Sequence, residues 1–526
     1  MIGNGGDGLA EKSRTEYSAK NTSIALISRI LYMLFGYVAR IIFTRVFNED
    51  YVGINGLFTD ILSILSLSEL GFGTAITFAL YKPIAENDLE KQKTLMDLFR
   101  KIYTVIALVI LVLGLLLIPF FGILMKNSPK VDHIVIIYLL YLMNTVLSYV
   151  ATYRKTLISA HQLNYIPVLI STLFWTGQNI IQIIILLTTK NFILYLCINL
   201  ISTVGTNIVC TIKANRMYPF LLEKNITPLD KGERQGIVRN VKAMFLHKIS
   251  GVLVGHTDNL LLSSMISTGV VGVYSNYVLL TASVKQILDQ VFEGIAASVG
   301  NLGAVEERGR IKQIFEATFF MGQWFYGLCS ICLFMVLDDF VRLSFGENYV
   351  FAREITFVIC LNFFITGMRR ATLVFRDSMG LFFYDRYKAI PEAVINLVAS
   401  IVLCNWLGTI GIFIGTAVSS VTTSVWVEPY VLYKYKLKIS SIGYFIRFAI
   451  YTAVTFAAGY LTHLTCLALE RIITYNDNPV LYIMIKGVIA IIITNTIYLT
   501  LYFKTPEFRI FKEKIAFLIK KKMKKQ

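Results

Sequence analysis

Apolar runs close to 20 residues long return from one end of the chain to the other. Each is long enough to cross a hydrocarbon core of ~30 Å as a helix. Backbone polar groups in lipid must be satisfied internally, so such a chain folds as helices or as a closed barrel, and runs of this length select helices. Hydropathy places spans at 22–46, 54–81, 102–125, 132–153, 163–188, 192–213, 243–266, 269–299, 314–337, 349–368, 389–407, 410–433, 443–469 and 480–503. The expected fold is all-α: a polytopic membrane protein of about 14 transmembrane helices. Composition agrees. AVILMFWYC supply 56% of 526 residues and DEKR only 16%, against about 25% charged in a soluble domain. A soluble enzyme, a secreted disulfide scaffold and a disordered regulator are excluded.

Lys and Arg number 50 against 33 acids, a net charge of +17. In a soluble protein that excess would suggest nucleic acid; here it marks cytoplasmic loops, and no nucleic-acid partner is expected. With the N-terminus inside and the spans alternating, the basic residues fall overwhelmingly on the inner segments, which supports an even span count. Both termini are then cytoplasmic. The expected organisation is a cytoplasmic N-terminal tail at 1–21, a first six-helix bundle at 22–213, a cytoplasmic linker at 214–242, a second six-helix bundle at 243–433, two additional helices at 434–503 and a basic cytoplasmic tail at 504–526. The 1–21 segment shows no signal-peptide pattern. In the last tail Phe508, Phe511, Ile515 and Leu518 form an apolar stripe among lysines, suited to a helix on anionic membrane lipids or simply to a solvated basic end.

An internal repeat underlies the two bundles. Val52-Gly53 falls on Val271-Gly272 at an offset of 219, which also carries Arg29 onto Lys248 and Arg40 next to Asp258. Arg154 and Tyr165 fall on Arg376 and Tyr387 at an offset of 222. Two similar bundles can rock about a central site, which is why such repeats matter in transporters.

Ionisable groups at membrane depth cost at least ~2.5–3.5 kcal/mol on insertion scales, so their default reading is functional. Arg29 and Arg40 are eleven residues apart on the first span, close to three helical turns. His247 and Asp258 repeat that spacing on span seven. Arg29, Arg40, Lys248, Asp258 and Lys285 are the candidate substrate-binding residues, because Arg and Lys match phosphate oxygens. Glu69, Asp289 and Glu293 are candidates for coupling or for structure. Lys285, Asp289 and Glu293 follow at four-residue steps, which fits a cavity wall or a salt-bridge ladder joining helices. Lys248 and Arg45 could equally snorkel to the interface.

Covalent chemistry finds no support. The five histidines make no H-E-x-x-H, and neither a P-loop nor a G-x-S-x-G is present,. Cys329 and Cys332 form a C-x-x-C inside an apolar run without a second pair, which reads as packing rather than metal or redox use. The chain is expected to be a non-enzyme, with no metal and no cofactor.

Several stretches carry a resemblance over nearly the whole length: Arg40–Phe58 with LSELGFG at 67–73, HTDNLLLSSMISTGVVGVYSNYVLL from His256 to Leu280, SVGNL at 298–302, RDSMGLFFYDRY at 376–387, and Ile395-Asn396 through Gly415-Thr416 to Glu428-Pro429-Tyr430. In this order on a fourteen-span frame they resemble the polysaccharide-repeat flippases of the multidrug/oligosaccharidyl-lipid/polysaccharide exporter superfamily. The resemblance implies a flippase. It would move an undecaprenyl-pyrophosphate-linked oligosaccharide across the cytoplasmic membrane for capsule, O-antigen or related polymers. It further implies a lipid-linked oligosaccharide substrate, coupling to Na+, H+ or membrane potential, and partners such as a polysaccharide polymerase and chain-length proteins. Arg29 and Arg40 would contact pyrophosphate or acidic sugars, and Asp258 would take part in coupling. Rival readings are a drug/cation antiporter, which predicts twelve spans and an acid-dominated cavity, a peptidoglycan-precursor flippase, and a membrane polysaccharide polymerase, which predicts a large outer loop.

Overall fold

Helices follow the apolar runs almost throughout, and several continue well past them. The computed structural model describes residues 7–66, 72–126, 129–223, 232, 235, 256–305, 307–381, 384–385, 387–471, 474–510 and 512. Among these, nine helices are long and apolar enough to cross a membrane, and the bent pair Ile134–Val150 and Thr152–Ala160 makes a tenth. Of the other expected spans, most of 243–266 lies outside the described residues. Residues 54–81 fall on two helices, Glu49–Leu65 and Phe72–Ala85. Spans 269–299 and 314–337 lie inside the 38-residue helices Thr268–Val305 and Arg308–Phe345. The chain is an all-helical, multi-pass membrane protein.

Outward-facing side chains show how such helices meet lipid. Leu108, Val112 and Leu116 repeat every four residues along Leu89–Leu117, and all three are exposed. A row of exposed leucine and valine would be a liability in water; in hydrocarbon it is the solvated face, while the backbone is satisfied within the helix. The first helix begins at Asp7, inside the segment read as a tail, and runs to Val46. At the other end Phe508 stacks on Trp324 with ring centroids 5.7 Å apart. The rest of the expected apolar stripe, at Phe511, Ile515 and Leu518, lies outside the described residues.

The chain forms two units, Met1–Gly272 and Val273–Gln526. In the first, the Asp7–Val46 helix packs along Tyr165–Thr188, which packs in turn on Phe192–Met217, and Ile134–Val150 lies against Phe192–Met217 and Leu89–Leu117. In the second, Arg308–Phe345 is central. It packs on Arg353–Ser378 on one side and on Pro479–Tyr502 on the other. Polar contacts fasten the last two helices to it: Lys486 Nζ reaches Asp339 at 2.8 Å, Trp324 Nε1 donates to Asn495 at 2.9 Å, and Arg447 pairs with Glu316 at 2.7 Å. Lys486 is only 3% exposed, and a charge so deeply buried is tolerated only because it is paired.

Three π-helical turns interrupt this regularity, at Leu262–Ile266, Ser420–Ser424 and Leu432–Leu437. Such turns leave carbonyls without their usual partners. At the first, Lys126 supplies the missing donors, with its backbone N–H on the Ser263 carbonyl at 3.0 Å and its ammonium on the Met265 carbonyl at 2.6 Å.

Candidate functional site

Polar groups gather at different places in the two units. In the first unit they lie on the opening helices. Arg40 is half-buried within electrostatic reach of Tyr141 and Tyr195, and the Tyr141 hydroxyl donates to Asn55 Oδ1 at 2.7 Å. Arg29, on the same helix, is exposed. Asp60 joins span two to span seven: its carboxylate lies 2.7 Å from His256 Nδ1 and accepts from Asn259 Nδ2 at 2.5 Å. Asp258, between these two partners in sequence, is 7% exposed. Lys248 and Glu69 lie outside the described residues.

A close backbone crossing stands beside this cluster. An added Cβ at Gly53 would fall 1.8 Å from the Thr268 carbonyl oxygen, and one at Gly272 would fall 2.3 Å from that of Glu49. The offset of 219 maps Glu49 onto Thr268 and Gly53 onto Gly272. The contact is therefore reciprocal: each glycine meets the repeat image of the residue that receives the other. Small residues are what allow membrane helices to approach so closely. The Val-Gly repeat read from sequence is thus also a structural relation.

In the second unit, Lys285 Nζ meets Asp289 Oδ2 at 2.5 Å, as four-residue spacing requires,. Glu293 does not extend this into a ladder along one helix. It pairs with Arg370 of the Arg353–Ser378 helix at 3.1 Å, and Arg370 also reaches Asp289 at 3.1 Å. Tyr326 donates its hydroxyl to the same carboxylate at 2.7 Å. Three helices therefore converge on Asp289. The lysine and arginine side chains remain 39% and 22% exposed, so both cations can meet a ligand.

Arg369, the next residue back, turns the other way, as successive positions on a helix do. Its guanidinium grips Glu428 with two bonds, 2.7 Å and 3.1 Å, and lies 3.6 Å from Glu392. Lys388 also bonds Glu428. Arg376 holds Asp385 at 2.5 Å and Asp377 at 2.7 Å. Ser424, in a π-turn, donates to Glu392 at 2.5 Å. Glu428 is fully buried. This cluster unites the 376–387 stretch with Glu428-Pro429-Tyr430, two segments far apart in sequence. Its charges are already matched, so its chemistry is structural.

Sequence spacing found Lys285 and Asp289 but not Arg369, Arg370, Tyr326 or Asn259. Hydropathy ends span ten at 368, which leaves both arginines beyond it. The apolar Ala-Thr-Leu-Val-Phe that follows them was the available signal. Among the described residues no group of three or more His, Cys, Asp or Glu side chains is arranged to hold a metal, and all seven cysteines are free.

An apolar cavity of about 280 Å³ opens among the helices Arg308–Phe345, Arg353–Ser378 and Ile442–Leu469, walled by Phe334, Phe357, Phe364 and Phe456.

Comparison with known proteins gives one frame for these features. Residues 18–292 match the model of a family described as polysaccharide biosynthesis protein. No curated protein matches the sequence. Among solved structures, the lipid II flippase MurJ in an inward closed conformation aligns with a TM-score of 0.63 at 13% identity, over 92% of this chain and 98% of that one. An inward-facing multidrug resistance MATE family transporter of the MOP superfamily aligns at 0.58 and 14% identity, over 76% and 94%. A mutant of the Vibrio cholerae MATE transporter VcmN aligns at 0.52 and 13%, over 81% and 99%. At such identities the likeness is one of fold.

Proposed function

Because the chain belongs to the polysaccharide biosynthesis protein family, whose members are transporters and flippases, we propose that it carries a lipid-linked oligosaccharide across the bacterial cytoplasmic membrane, with both termini inside. The substrate class in this reading is an undecaprenyl-pyrophosphate-linked repeat unit destined for capsule, O-antigen or a related surface polymer. The observation that carries the reading is the convergence of Lys285 and Arg370 on Asp289 with both cations still partly exposed. Lys285 stands seventeen residues into its helix, about 26 Å from Thr268 at 1.5 Å per residue. Basic residues placed there suit a phosphate arriving from the inner leaflet, since charge-assisted bonds to phosphate oxygens are about twice as strong as neutral ones.

The physical task fits the scaffold. A sugar head cannot cross lipid unaided, because each unpaired polar group there costs several kcal/mol. Outward movement of negative charge is favoured by an inside-negative potential, at ~2.3 kcal/mol per charge per 100 mV. In the working cycle Arg370 and Lys285 exchange Asp289 for the phosphate, and Asp289 takes them back on release. The apolar cavity walled by Phe334, Phe357 and Phe456 is a seat for part of the lipid chain. Repeat-related elements must part in alternating access, and the Gly53–Gly272 crossing is one place where they would do so.

The test is lipid analysis of a deletion strain. Complete lipid-linked repeats should accumulate on the inner leaflet, shielded from an external glycosidase. Unpolymerised repeats at the outer face would identify a polymerase. Unchanged lipid-linked sugars would favour a drug/cation antiporter.

A further inference from the structure

A second cationic pocket lies in the first unit, away from the residues discussed above. It has a volume of about 330 Å³ and is built from three segments: Lys93, Met96, Asp97 and Arg100 on Leu89–Leu117, Tyr153 and Arg154 after the bend, and Leu221–Glu223 beyond Phe192–Met217. All three segments belong to the inner set that the distribution of basic residues places in the cytoplasm.

The charges inside it are unevenly matched. Lys93 is shared by two acids, Glu90 at 2.8 Å and Glu223 at 3.0 Å. Asp97 is shared by two cations, Arg100 at 3.0 Å and Lys101 at 2.6 Å. One wall is thus acid-rich and the other cation-rich. Arg154 joins the cation-rich wall. Its guanidinium lies 4.8 Å from the Tyr153 ring centroid and donates a long hydrogen bond, 3.4 Å, to Thr211 Oγ1. Its Nε is buried and has no acceptor. Among the described residues no carboxylate lies within ion-pair distance of it. A buried guanidinium N–H without an acceptor is costly, and a forked donor of this shape fits phosphate oxygens.

The internal repeat sharpens the point. At the offset of 222, Arg154 is the image of Arg376, which is surrounded by Asp377, Asp385 and Glu428. The first unit has Lys155, Leu163 and Thr206 at the corresponding positions. It has kept the arginine while the three acids have no counterpart.

We propose that this pocket binds a phosphate group, with Arg154 and Arg100 as its donors, separately from the transported substrate. The group comes either from free phosphate or from the headgroup of an inner-leaflet phospholipid, for which exposed Leu222 supplies an apolar rim. Binding leaves the Lys93 pairs intact and draws Arg100 partly from Asp97.

The test uses the full chain, purified in neutral detergent and in nanodiscs. Inorganic phosphate, at ionic strength held constant with chloride, should raise the melting temperature saturably. Half-saturation should weaken about tenfold or more in Arg154→Gln, the worth of one charge-assisted bond, and less in Arg154→Lys. Asp97→Asn should tighten it. If phosphate has no effect but phosphatidylglycerol nanodiscs stabilise the wild type over phosphatidylcholine ones, and Arg154→Gln removes that gain, the lipid headgroup is the source. Arg100→Gln repeats each comparison should Arg154→Gln fail to fold. Stabilisation unaltered by both substitutions, or none from either probe, overturns the proposal. Because no transported sugar enters the assay, its outcome is independent of the flippase reading.

Discussion

Arg154 and Arg376 fall on one another at the sequence offset of 222, yet their surroundings differ. Around Arg376 the chain has assembled a closed set of charges, with Asp385, Asp377 and Glu428 near it and Arg369 and Lys388 also on Glu428. Around Arg154 there is a threonine, a tyrosine ring and open pocket. Its neighbour Lys155 finds an amide, Asn207 Oδ1 at 2.8 Å, in place of a carboxylate. The difference teaches what buried charge is for in each half. A matched cluster fixes helices to one another and offers nothing to a ligand. A cation held by neutral dipoles keeps much of its field for something that arrives later.

Substitutions can break or sharpen this contrast. The largest effect belongs to Glu428→Gln, which leaves Arg369 and Lys388 buried against a neutral amide. Removing one member of a buried ion pair costs about 3–5 kcal/mol, so little folded protein should survive in fluorescence-detected size-exclusion chromatography. Lys486→Met should follow, because it leaves the Asp339 carboxylate with Arg342 alone, at 3.2 Å on its other oxygen. The double variant Lys486→Met with Asp339→Leu should recover part of the lost melting temperature, since matched apolar replacement of a buried pair is often neutral and Arg342 keeps Glu347. Gly367→Ala is next. Its Cβ would lie 2.0 Å from the Tyr326 ring, and overpacking of this kind costs about 1–3 kcal/mol. Tyr326 would be pushed from Asp289, so polymer export should fall more than protein abundance in quantitative blotting. The smallest effect is expected for Lys155→Met, which leaves behind only a neutral asparagine. A loss under about 1.5 kcal/mol, the net worth of one hydrogen bond, should appear as a minor change in melting temperature. A collapse as severe as that of Glu428→Gln would erase the contrast.

How far the sequence reveals this molecule depends on the physics behind each feature. Apolar length reveals helices because lipid leaves the backbone no alternative. The Val-Gly motif reveals the reciprocal crossing because close approach demands glycine on both sides. Lys285 and Asp289 are legible because four-residue spacing brings their side chains together locally. Arg369 and Arg370 were hidden for the opposite reason. Their partners, Glu428, Asp289 and Glu293, are 59 to 81 residues away in sequence, and hydropathy treats any charge as the end of a span. Paired charges let the helix continue to Ser378. Arg29 and Arg40 share one helix and a spacing near three turns, but one is exposed and the other half-buried; burial follows the neighbours each residue meets and cannot be read from spacing.

The central claim is that the Lys285–Arg370–Asp289 convergence receives the phosphate of a lipid-linked sugar. It is tested most directly by reconstituting purified protein into liposomes that hold fluorescent undecaprenyl-pyrophosphate oligosaccharide in the inner leaflet, and by following its exposure to an external lectin. The account predicts exposure well above that of empty liposomes and a fall of at least about tenfold in Arg370→Gln, the loss of one charge-assisted contact, with the melting temperature nearly unchanged. Wild-type rates in both Arg370→Gln and Lys285→Gln would contradict it.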